Sequence, residues 1–484
     1  MIRPVKIANA AGFWGDQPDA AARLVAAQPD LDFLTLDYLA EVSLSIMAII
    51  RAKDPSAGYA RDFVDVLRSL GPFYQAGGKT KIVTNAGGLD PAACARACQE
   101  VLKAAKLDHL KIFTVSGDDV LSVVGRGLSP IGSIPDVGRK ARPTAGSAPA
   151  EAKPFANLDP GAPLSSIAPR LVTANAYLGA APIADALRAG ADFVITGRVA
   201  DPSLTVGPCL AHFGWKPTDY DRLAGATVAG HLIECGTQVT GGFSTDWLDI
   251  PGNDDIGFPI VEVSADGSCV VAKPAGTGGA VTVPIVKEQL LYEIGDPANY
   301  LSPDVTVSFL TLKAESAGEN RVRVSGATGR APTDSYKVSA TYRDGYKAHG
   351  LITIFGHDAV RKARQAGEGL LRRLHSRGCV FRETLIECLG TGASVRGIVS
   401  RMSDTHLVET VLRVSVAADT KESVERFTKE IAPLITCGPQ GVTGYATGRP
   451  KVLPIFGYWP GLISKSLVKP IVQSLPANHT NERE

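Results

Sequence analysis

The sequence predicts an α/β protein with a parallel-sheet N-terminal region, an antiparallel β-rich portion and a small C-terminal domain of strands and a helix. Three observations support this fold class. Short apolar runs alternate with helical patterns over the first 210 residues. From residue 236 the chain changes to β-type runs separated by turn sequences such as Asp266-Gly267. The last hundred residues return to strands that flank a helix.

The N-terminal region consists of repeated strand–loop–helix units. Each predicted strand is a short apolar run, and most end at glycine or polar residues. Asp90 and Pro91 supply an N-cap and a first-turn proline for one of the helices. Parallel pairing is expected because helices of this length connect successive strands. The predicted strands are residues 5–10, 31–36, 81–84, 110–115, 171–174 and 193–196, and the predicted helices are residues 18–27, 92–105 and 182–189.

Two domains are expected. Residues 1–376 would form a large α/β domain, with parallel strand–helix units in residues 1–235 and a β-rich portion with a helix in residues 236–376; residues 377–484 would form the C-terminal domain. Residues 129–168, rich in proline, alanine, glycine and serine, are predicted to form a long surface excursion. The later predicted strands are residues 260–263, 269–272, 281–283, 305–312, 321–324, 336–342, 382–388 and 409–417, and the later helices are residues 358–374 and 421–431.

The charge balance excludes several classes of protein. Fifty lysines and arginines oppose 49 aspartates and glutamates, so the net charge is +1, and the chain has no dense cationic run. We therefore expect no binding to nucleic acid and no attraction to an anionic membrane. No stretch approaches the roughly 18 apolar residues that a membrane span needs, and the opening residues lack a signal-peptide core. The eight scattered cysteines fit reduced thiols, so a cytoplasmic location is expected.

Polar and glycine residues follow the predicted strands at the edge where a ligand would bind. In open parallel sheets, ligands bind outside the carboxyl ends of the strands. Asp37 and Glu41 follow the second strand, and either would serve as a catalytic proton acceptor if burial raises its pKa. The residues at these strand ends that we expect to contact a substrate are Asn85, Gly87, Gly88, Asn175, Arg198 and Asp201.

Arg198 has two interpretations. Its guanidinium follows a strand and stands beside Gly197, a placement that suits bidentate binding of a carboxylate or phosphate. A structural ion pair with Asp201 or Asp192 explains the same residue. Asp201 itself precedes a proline, so a helix cap is the alternative to a role in binding.

The densest polar constellation is residues 234–242. The turn Thr240-Gly241-Gly242 would present backbone N–H groups to an anion or to a developing enolate. Glu234 and Cys235 are the catalytic candidates here, and the Cys235 thiol would need a base such as His231 to act as a nucleophile. A buried structural cysteine is the alternative.

The sequence predicts no metal centre and indicates a subunit interface. The eight histidines lie far apart and form no HExxH motif. Cys94 and Cys98 share one helix face, which a packed apolar surface explains. Near the end of the chain, a glycine-rich stretch at residues 436–451 is followed by Tyr458-Trp459-Pro460. This segment is either a glycine-rich recognition loop or an interface; its aromatic and proline character favours the interface, so we expect a homo-oligomer.

Several segments, spread in order over nearly the whole chain, carry a resemblance to a known family. They are residues 175–180 (NAYLGA), 195–201 (ITGRVAD), 234–236 (ECG) through 241–242 (GG), 273–279 (KPAGTGG), 288–293 (EQLLYE) and 438–460. With these segments the chain resembles the acyclic terpene utilisation family AtuA. The resemblance implies a large N-terminal domain and a smaller ferredoxin-like C-terminal domain. It also implies a role in bacterial breakdown of citronellol- and geraniol-type compounds, whose intermediates are branched acyl-CoA esters. Relatives in the family belong to the catabolism of other carboxylic acids, often with a small separate partner protein.

We therefore expect a catabolic enzyme that acts on a carboxylic acid or a branched acyl-CoA, as a hydratase/dehydratase or a lyase. Arg198 would hold an anionic group of the substrate, and CoA would enter as part of that substrate. The alternative is a non-catalytic binding or assembly subunit that works with a small partner protein.

Overall fold

The computed structural model describes residues 2–126, 155–158, 163–395, 397, 407–445 and 447–475. Most of the predicted surface excursion at residues 129–168 lies outside them. The chain divides into two compact units. The first comprises Met1–Thr341 and Tyr458–Glu484, and the second comprises Tyr342–Gly457.

The strands are numbered in chain order over the described residues. They are β1 (Val5–Asn9), β2 (Phe33–Leu36), β3 (Lys81–Thr84), β4 (Ile112–Ser116), β5 (Phe155–Asn157), β6 (Leu171–Ala176), β7 (Phe193–Thr196), β8 (Ile260–Val263), β9 (Cys269–Ala272), β10 (Tyr300–Leu301), β11 (Thr306–Ser308), β12 (Lys313–Ser316), β13 (Arg321–Ser325), β14 (Thr328–Arg330), β15 (Ser335–Phe355), β16 (Glu383–Leu389), β17 (Glu409–Ala418), β18 (Val442–Tyr445), β19 (Leu453–Ser464) and β20 (Ile471–Ser474).

The α-helices are numbered in the same way. They are α1 (Ala20–Ala27), α2 (Ser43–Lys53), α3 (Asp62–Ser69), α4 (Gly71–Gln75), α5 (Pro91–Ala104), α6 (Leu121–Arg126), α7 (Leu164–Ile167), α8 (Ala181–Arg188), α9 (Ser203–Phe213), α10 (Tyr220–Glu234), α11 (Val283–Leu291), α12 (Ala359–Ser376), α13 (Lys421–Glu430) and α14 (Leu434–Cys437).

The first unit contains a large mixed sheet, in the order β12-β13-β9-β8-β1-β2-β3-β7-β4-β20. Strands β1, β2, β3, β7 and β4 pair in parallel. Antiparallel strands extend this set on both sides, with β8 beside β1 and β20 beside β4. The fold is therefore α/β, and the parallel strands place their carboxyl ends at one edge of the sheet.

Several predicted strands differ from the structure. The strand expected at residues 305–312 is limited to β11 at Thr306–Ser308, and the one expected at residues 336–342 is part of the longer β15. Residues 281–283 were expected to form a strand, but Thr282 instead caps α11, because its hydroxyl accepts a hydrogen bond from the Ile285 N–H at 3.4 Å and Pro284 occupies the first turn. The strand at residues 171–174 forms as β6 but pairs with β15, outside the large sheet.

Helix α10 is buried along most of its length. All residues from Leu223 to Ile233 are buried, so the helix has no solvent-facing side over three turns. Its last residue, Glu234, reaches the edge of the sheet where β1 ends, as the contacts of Asn9 below show. The apolar sequence of this helix therefore serves to carry a carboxylate into the protein interior.

The second unit has its own antiparallel sheet and apolar core. Strand β17 pairs with β16 on one side and with β15 on the other, and β18 also pairs with β15. Leu370 and Leu374 of α12 share a buried cluster with Leu412 and Val414 of β17 and Phe427 of α13. The ferredoxin-like assignment of the C-terminal domain stays a prediction.

The division into units differs from the predicted boundary at residue 376. Helix α12 precedes that boundary but packs on β16 and β17, so it belongs to the second unit. The end of the chain returns to the first unit, because β20 pairs with β4 there. Neither contact could be predicted from local sequence patterns, because both join elements that lie far apart along the chain.

Candidate functional site

The candidate site lies in the first unit, at the edge where the parallel strands end. Asn9 closes β1, Asp37 follows β2, Asn85 follows β3 and Arg198 follows β7. All four are buried, although such polar groups are costly to remove from water unless they are paired. Their partners therefore decide what the site can do.

Arg198 is held in place by groups of the protein. Its side chain lies 3.0 Å from the Asp201 carboxylate, donates to the Leu39 carbonyl and stacks over the Tyr177 ring at 4.1 Å. The residue is only 1% exposed, so it has little surface for a ligand. Of the two interpretations from the sequence, the structure contains the ion pair with Asp201; Asp192 instead accepts a hydrogen bond from the Lys111 N–H.

Asp37 is a buried carboxyl group with a raised pKa. It accepts hydrogen bonds from the Asn85 amide at 2.6 Å and from the Leu39 N–H at 3.2 Å. Burial raises the pKa of Asp37 well above its ordinary value, and the nearby charges of Asp201 and Glu234 raise it further against the opposing effect of Arg198. This is the environment expected of a catalytic proton acceptor.

Glu41, the other predicted proton acceptor, lies in a more open setting. Tyr177 donates its hydroxyl to Glu41 at 3.1 Å, and the Lys337 ammonium lies 3.6 Å from the same carboxylate. Partial burial opposes the change, but backbone hydrogen bonding and the charges of Arg198 and Lys337 lower the pKa of Glu41. A half-exposed carboxylate with a lowered pKa is a weak base, so this position suits binding better than proton transfer.

The end of α10 brings a second carboxylate to the site. The Asn9 amide donates to the carbonyls of Ile233 at 2.7 Å and Glu234 at 2.9 Å. Both carbonyls belong to the last turn of α10, where intrahelical donors are lacking. Burial, together with the charges of Asp201 and Glu293, raises the pKa of Glu234 to about 7, although His231 opposes the rise.

Cys235 does not have the environment of a nucleophile. His231, the base considered for it, has its Nδ1 2.9 Å from Glu234 and its Nε2 2.9 Å from the Gln289 carbonyl, so both ring nitrogens are already engaged. Burial and the charge of Glu234 raise the pKa of the Cys235 thiol. A reactive cysteine needs a lowered pKa, so the structural alternative describes Cys235 better.

Asp118 supports the loop that carries Arg198. Its carboxylate accepts from the Arg198 backbone N–H at 2.9 Å and from the Asn175 side chain at 2.8 Å. Burial raises the pKa of Asp118 to about 6, and these two donors oppose the rise. Asn175 therefore acts on the site through Asp118 rather than by direct contact with Arg198.

The segment after β3 contributes hydrogen bonds and a close backbone approach to the site through Asn85, Gly87 and Gly88. The Asn85 side chain donates to Asp37 and accepts from the Tyr38 N–H at 2.7 Å, so both ends of its amide are used. A Cβ on Gly87 would lie 2.5 Å from the Thr196 carbonyl oxygen, which only glycine permits. The Gly88 N–H donates to the backbone carbonyl of Asn85 at 3.2 Å.

The turn at Thr240, Gly241 and Gly242 does not form an open anion site. The Gly241 N–H donates to the Gln238 carbonyl at 3.1 Å, and the Gly242 N–H donates to the Thr237 carbonyl at 2.8 Å. Thr240 donates its hydroxyl to the Gly257 carbonyl at 2.7 Å. These two N–H groups are therefore used within the chain, and the enolate-stabilising role of the two glycines stays a prediction.

Several residues of the site were missed in the sequence. Lys337, at 4.8 Å from the Tyr177 ring, comes from β15, far along the chain. Tyr300 and Phe309 pack against His231 with ring centroids 6.1 and 6.0 Å away. Tyr177 alone carried a signal, since it stands inside the NAYLGA segment.

The assembled site is rich in acids. Burial raises the pKa values of Asp37, Asp201 and Glu234. The charges of Asp201 and Glu234 raise the pKa of Asp37 further, and the charge of Asp201 also raises that of Glu234. Over the residues that the structure describes, no three histidine, cysteine or acidic side chains converge on a point that would hold a metal ion. No helix in the same part of the chain is long and apolar enough to cross a membrane.

Comparison with known proteins identifies the family of the chain. No curated protein matches the chain. Among solved structures, a homoserine dehydrogenase from Thiobacillus denitrificans aligns at 10% identity over 91% of this chain and 84% of that one. The TM-score of 0.16 is too low to indicate a shared fold. The model of the acyclic terpene utilisation family protein AtuA matches residues 5–474. The chain therefore belongs to the acyclic terpene utilisation family AtuA.

Proposed function

We propose that this protein is an enzyme that moves a proton on a carboxylic acid or a branched acyl-CoA, as a hydratase/dehydratase or a lyase. The observation that carries the proposal is the group of buried acids with raised pKa values, Asp37, Asp201 and Glu234, at the carboxyl ends of parallel strands. A carboxyl group that titrates near neutrality can accept and return a proton at physiological pH. Membership of a terpene utilisation family supports a catabolic substrate of this class.

Two cations of the described residues lie at the site, Arg198 and Lys337, and they differ in how accessible they are to an anionic substrate. Arg198 is already paired with Asp201, whereas the Lys337 side chain is 43% exposed beside Glu41. Lys337 is therefore the cation that we expect to meet a carboxylate or a CoA phosphate. Arg198 acts through its neighbours, because it keeps Asp201 and the Tyr177 ring in place.

A ligand-sized cavity of the first unit adjoins this edge of the sheet along the chain, although its lining includes none of Asp37, Asp201, Glu234 and Lys337. This cavity of about 310 Å³ lies against Ala10 and Ala11, which follow β1, and against Tyr38, which follows Asp37. Its size is at the lower end of the range of small-molecule sites. Asp16 and Asp62 also line it.

The proposal is tested by hydrogen exchange in D₂O. The wild-type protein, incubated with 3-hydroxybutyryl-CoA, isobutyryl-CoA or their free acids, is expected to introduce deuterium at the carbon next to the carbonyl, followed by mass spectrometry. Asp37→Asn keeps the shape and the hydrogen bond from Asn85 but can neither bind nor release a proton, so it removes one acid from the group that handles the proton. We expect it to slow exchange by about 10²-fold or more.

Asp304→Asn is the matched control. Asp304 also has a pKa raised by burial, but its carboxylate is satisfied by the Ala180 N–H and the Ser203 hydroxyl, both at 2.8 Å. This variant should exchange at the wild-type rate. If the wild-type protein leaves all four compounds unlabelled, the enzyme proposal fails and the binding or assembly subunit becomes the better explanation.

A further inference from the structure

His231 and Glu234 form a buried pair at the end of α10. His231 is 1% exposed, and the Glu234 side chain is about nine-tenths buried, at 10% exposure. The Nδ1 atom of His231 lies 2.9 Å from Oε1 of Glu234, and its Nε2 lies 2.9 Å from the Gln289 carbonyl oxygen. Each ring nitrogen therefore has one partner.

The chemistry of those partners fixes where the hydrogens lie. A backbone carbonyl can only accept, so Nε2 must carry a hydrogen. The short contact between Nδ1 and Oε1 needs one further hydrogen, held either by an imidazolium facing a carboxylate or by a carboxylic acid facing a neutral imidazole. In both forms the pair holds one shared proton and has no net charge.

The surroundings favour that neutral form. Glu293 and Asp201 add negative charge near Glu234, and Glu234 in turn acts on Asp37, Cys235 and Tyr300. Loss of the shared proton would add another negative charge to this acidic, buried place, which burial penalises. The rings of Tyr300 and Phe309 beside His231 provide no charge to offset it.

The second oxygen of Glu234 has no such partner. Oε2 is buried and accepts no hydrogen bond from the described residues. Buried carboxylate oxygens normally find a donor, so an oxygen left open at a strand-end site indicates that a ligand supplies the missing hydrogen.

We propose that His231 and Glu234 form one titrating unit with a single shared proton, and that Oε2 of Glu234 accepts a proton from the substrate. The proposal rests on the proposed function and makes Glu234 a catalytic residue and His231 a positioning residue. In the step, the C–H bond next to the substrate carbonyl breaks, an O–H bond forms at Oε2, and the electron pair stays on the substrate as an enolate. The His231–Glu234 pair then carries one positive charge beside that anion.

The shared proton is tested by NMR, without any substrate. In protein labelled with ¹⁵N-histidine, with the His231 signals assigned through His231→Gln, we expect Nε2 to stay protonated from pH 5 to 9 and Nδ1 to show the shift of a strong hydrogen bond. Glu234→Gln removes the carboxylate that favours the imidazolium, so the pKa of His231 should fall by at least one unit. Glu288→Gln, which changes a nearby acid on α11, should leave the signals unchanged.

The role of Oε2 is tested by deuterium exchange into 3-hydroxybutyryl-CoA. Glu234→Gln should slow exchange by about 10²-fold or more, while His231→Gln should retain exchange but move its pH midpoint by at least one unit. An Nε2 without a proton, or a His231 titration that Glu234→Gln leaves unchanged, overturns the shared proton. Wild-type rates in Glu234→Gln overturn the role of Oε2. No exchange in the wild-type protein contradicts the proposed function, and with it the role of Oε2, whereas the NMR result still decides the shared proton.

Discussion

Asp118 shows how a single buried carboxylate links stability to the site. Its two hydrogen bonds hold the backbone of Arg198 and the side chain of Asn175. Burial nevertheless disfavours its charged form, so its pKa is raised to about 6. Asp118 therefore holds the loop of Arg198 in place. Because its charged form is buried, its ionisation lowers the free energy of unfolding, and this cost is fully present above about pH 6.

This cost can be measured as a pH dependence. Between the pKa of an unfolded aspartate, about 3.9, and the folded value, the folded state binds more protons, so the free energy of unfolding falls as the pH rises. Asp118→Asn cannot ionise and should lose this part of the slope. Relative to the wild type, its free energy of unfolding should rise by on the order of 3 kcal/mol between pH 4 and pH 7.

Urea unfolding followed by tryptophan fluorescence is the measurement. All four tryptophans lie in the first unit, so the signal reports the unit that contains Asp118. Asp119→Asn is the control, because Asp119 is the neighbouring acid and its side chain is exposed. Parallel pH profiles for Asp118→Asn and wild type would contradict the assignment of a raised pKa to Asp118.

At the scale of elements, α10 depends on glycine for its place in the core. A Cβ on Gly230 would lie 2.7 Å from the Pro202 carbonyl oxygen and 2.8 Å from the Pro202 Cα. Pro202 directly follows Asp201, so this close approach sets the distance between the helix that ends at Glu234 and the loop that holds Asp201. The glycine thus contributes to the geometry of the site from outside it.

We expect Gly230→Ala to destabilise the first unit, although alanine favours a helix. Overpacking of this kind costs roughly 1–3 kcal/mol, more than the gain of about 1 kcal/mol in helix propensity. Gly369 of α12 is the matched control, since the nearest atom to its Cβ would be the end of the Arg372 side chain at 3.9 Å. Gly369→Ala should raise the melting temperature of the second unit by circular dichroism, and a stabilising Gly230→Ala would refute the packing argument.

The same scale shows what the sequence could predict. Strand β3, at Lys81–Thr84, and strand β7, at Phe193–Thr196, were predicted at their observed bounds because short apolar runs ended at glycine or asparagine. Helix α10 was not predicted, since a helix buried on every side has no polar face to reveal its period. The polar strand ends identified Asp37 and Arg198, but the pairing of Glu234 with His231 and of Glu41 with Lys337 depends on tertiary contacts.

At the scale of the whole molecule, an exposed surface bears on assembly. An exposed apolar surface lies in the first unit, formed by Phe243, Trp247, Leu248 and Leu291. Its two segments are joined by the hydrogen bond from the Thr245 N–H to Glu288 and by the contact of the Phe243 and Tyr292 rings at 5.8 Å. Contiguous apolar surface of this kind marks an interaction site.

We expect this apolar surface to be the contact between copies of the chain in a homo-oligomer. Leu248 is 87% exposed and Leu291 is 75% exposed, so the double change Leu248→Glu and Leu291→Glu should leave the fold intact. It would place charge where two copies meet, and an unpaired buried charge is strongly unfavourable. Sedimentation should therefore give the monomer mass for this variant and a multiple of it for the wild type.

Val380→Glu, at an equally exposed residue of the second unit, should sediment as the wild type does. Two results would contradict this expectation: a double variant that keeps the wild-type mass, or a wild type that is itself monomeric. Either would show that copies of the chain do not meet at this apolar surface. The surface would then be open to the small partner protein that the alternative function requires.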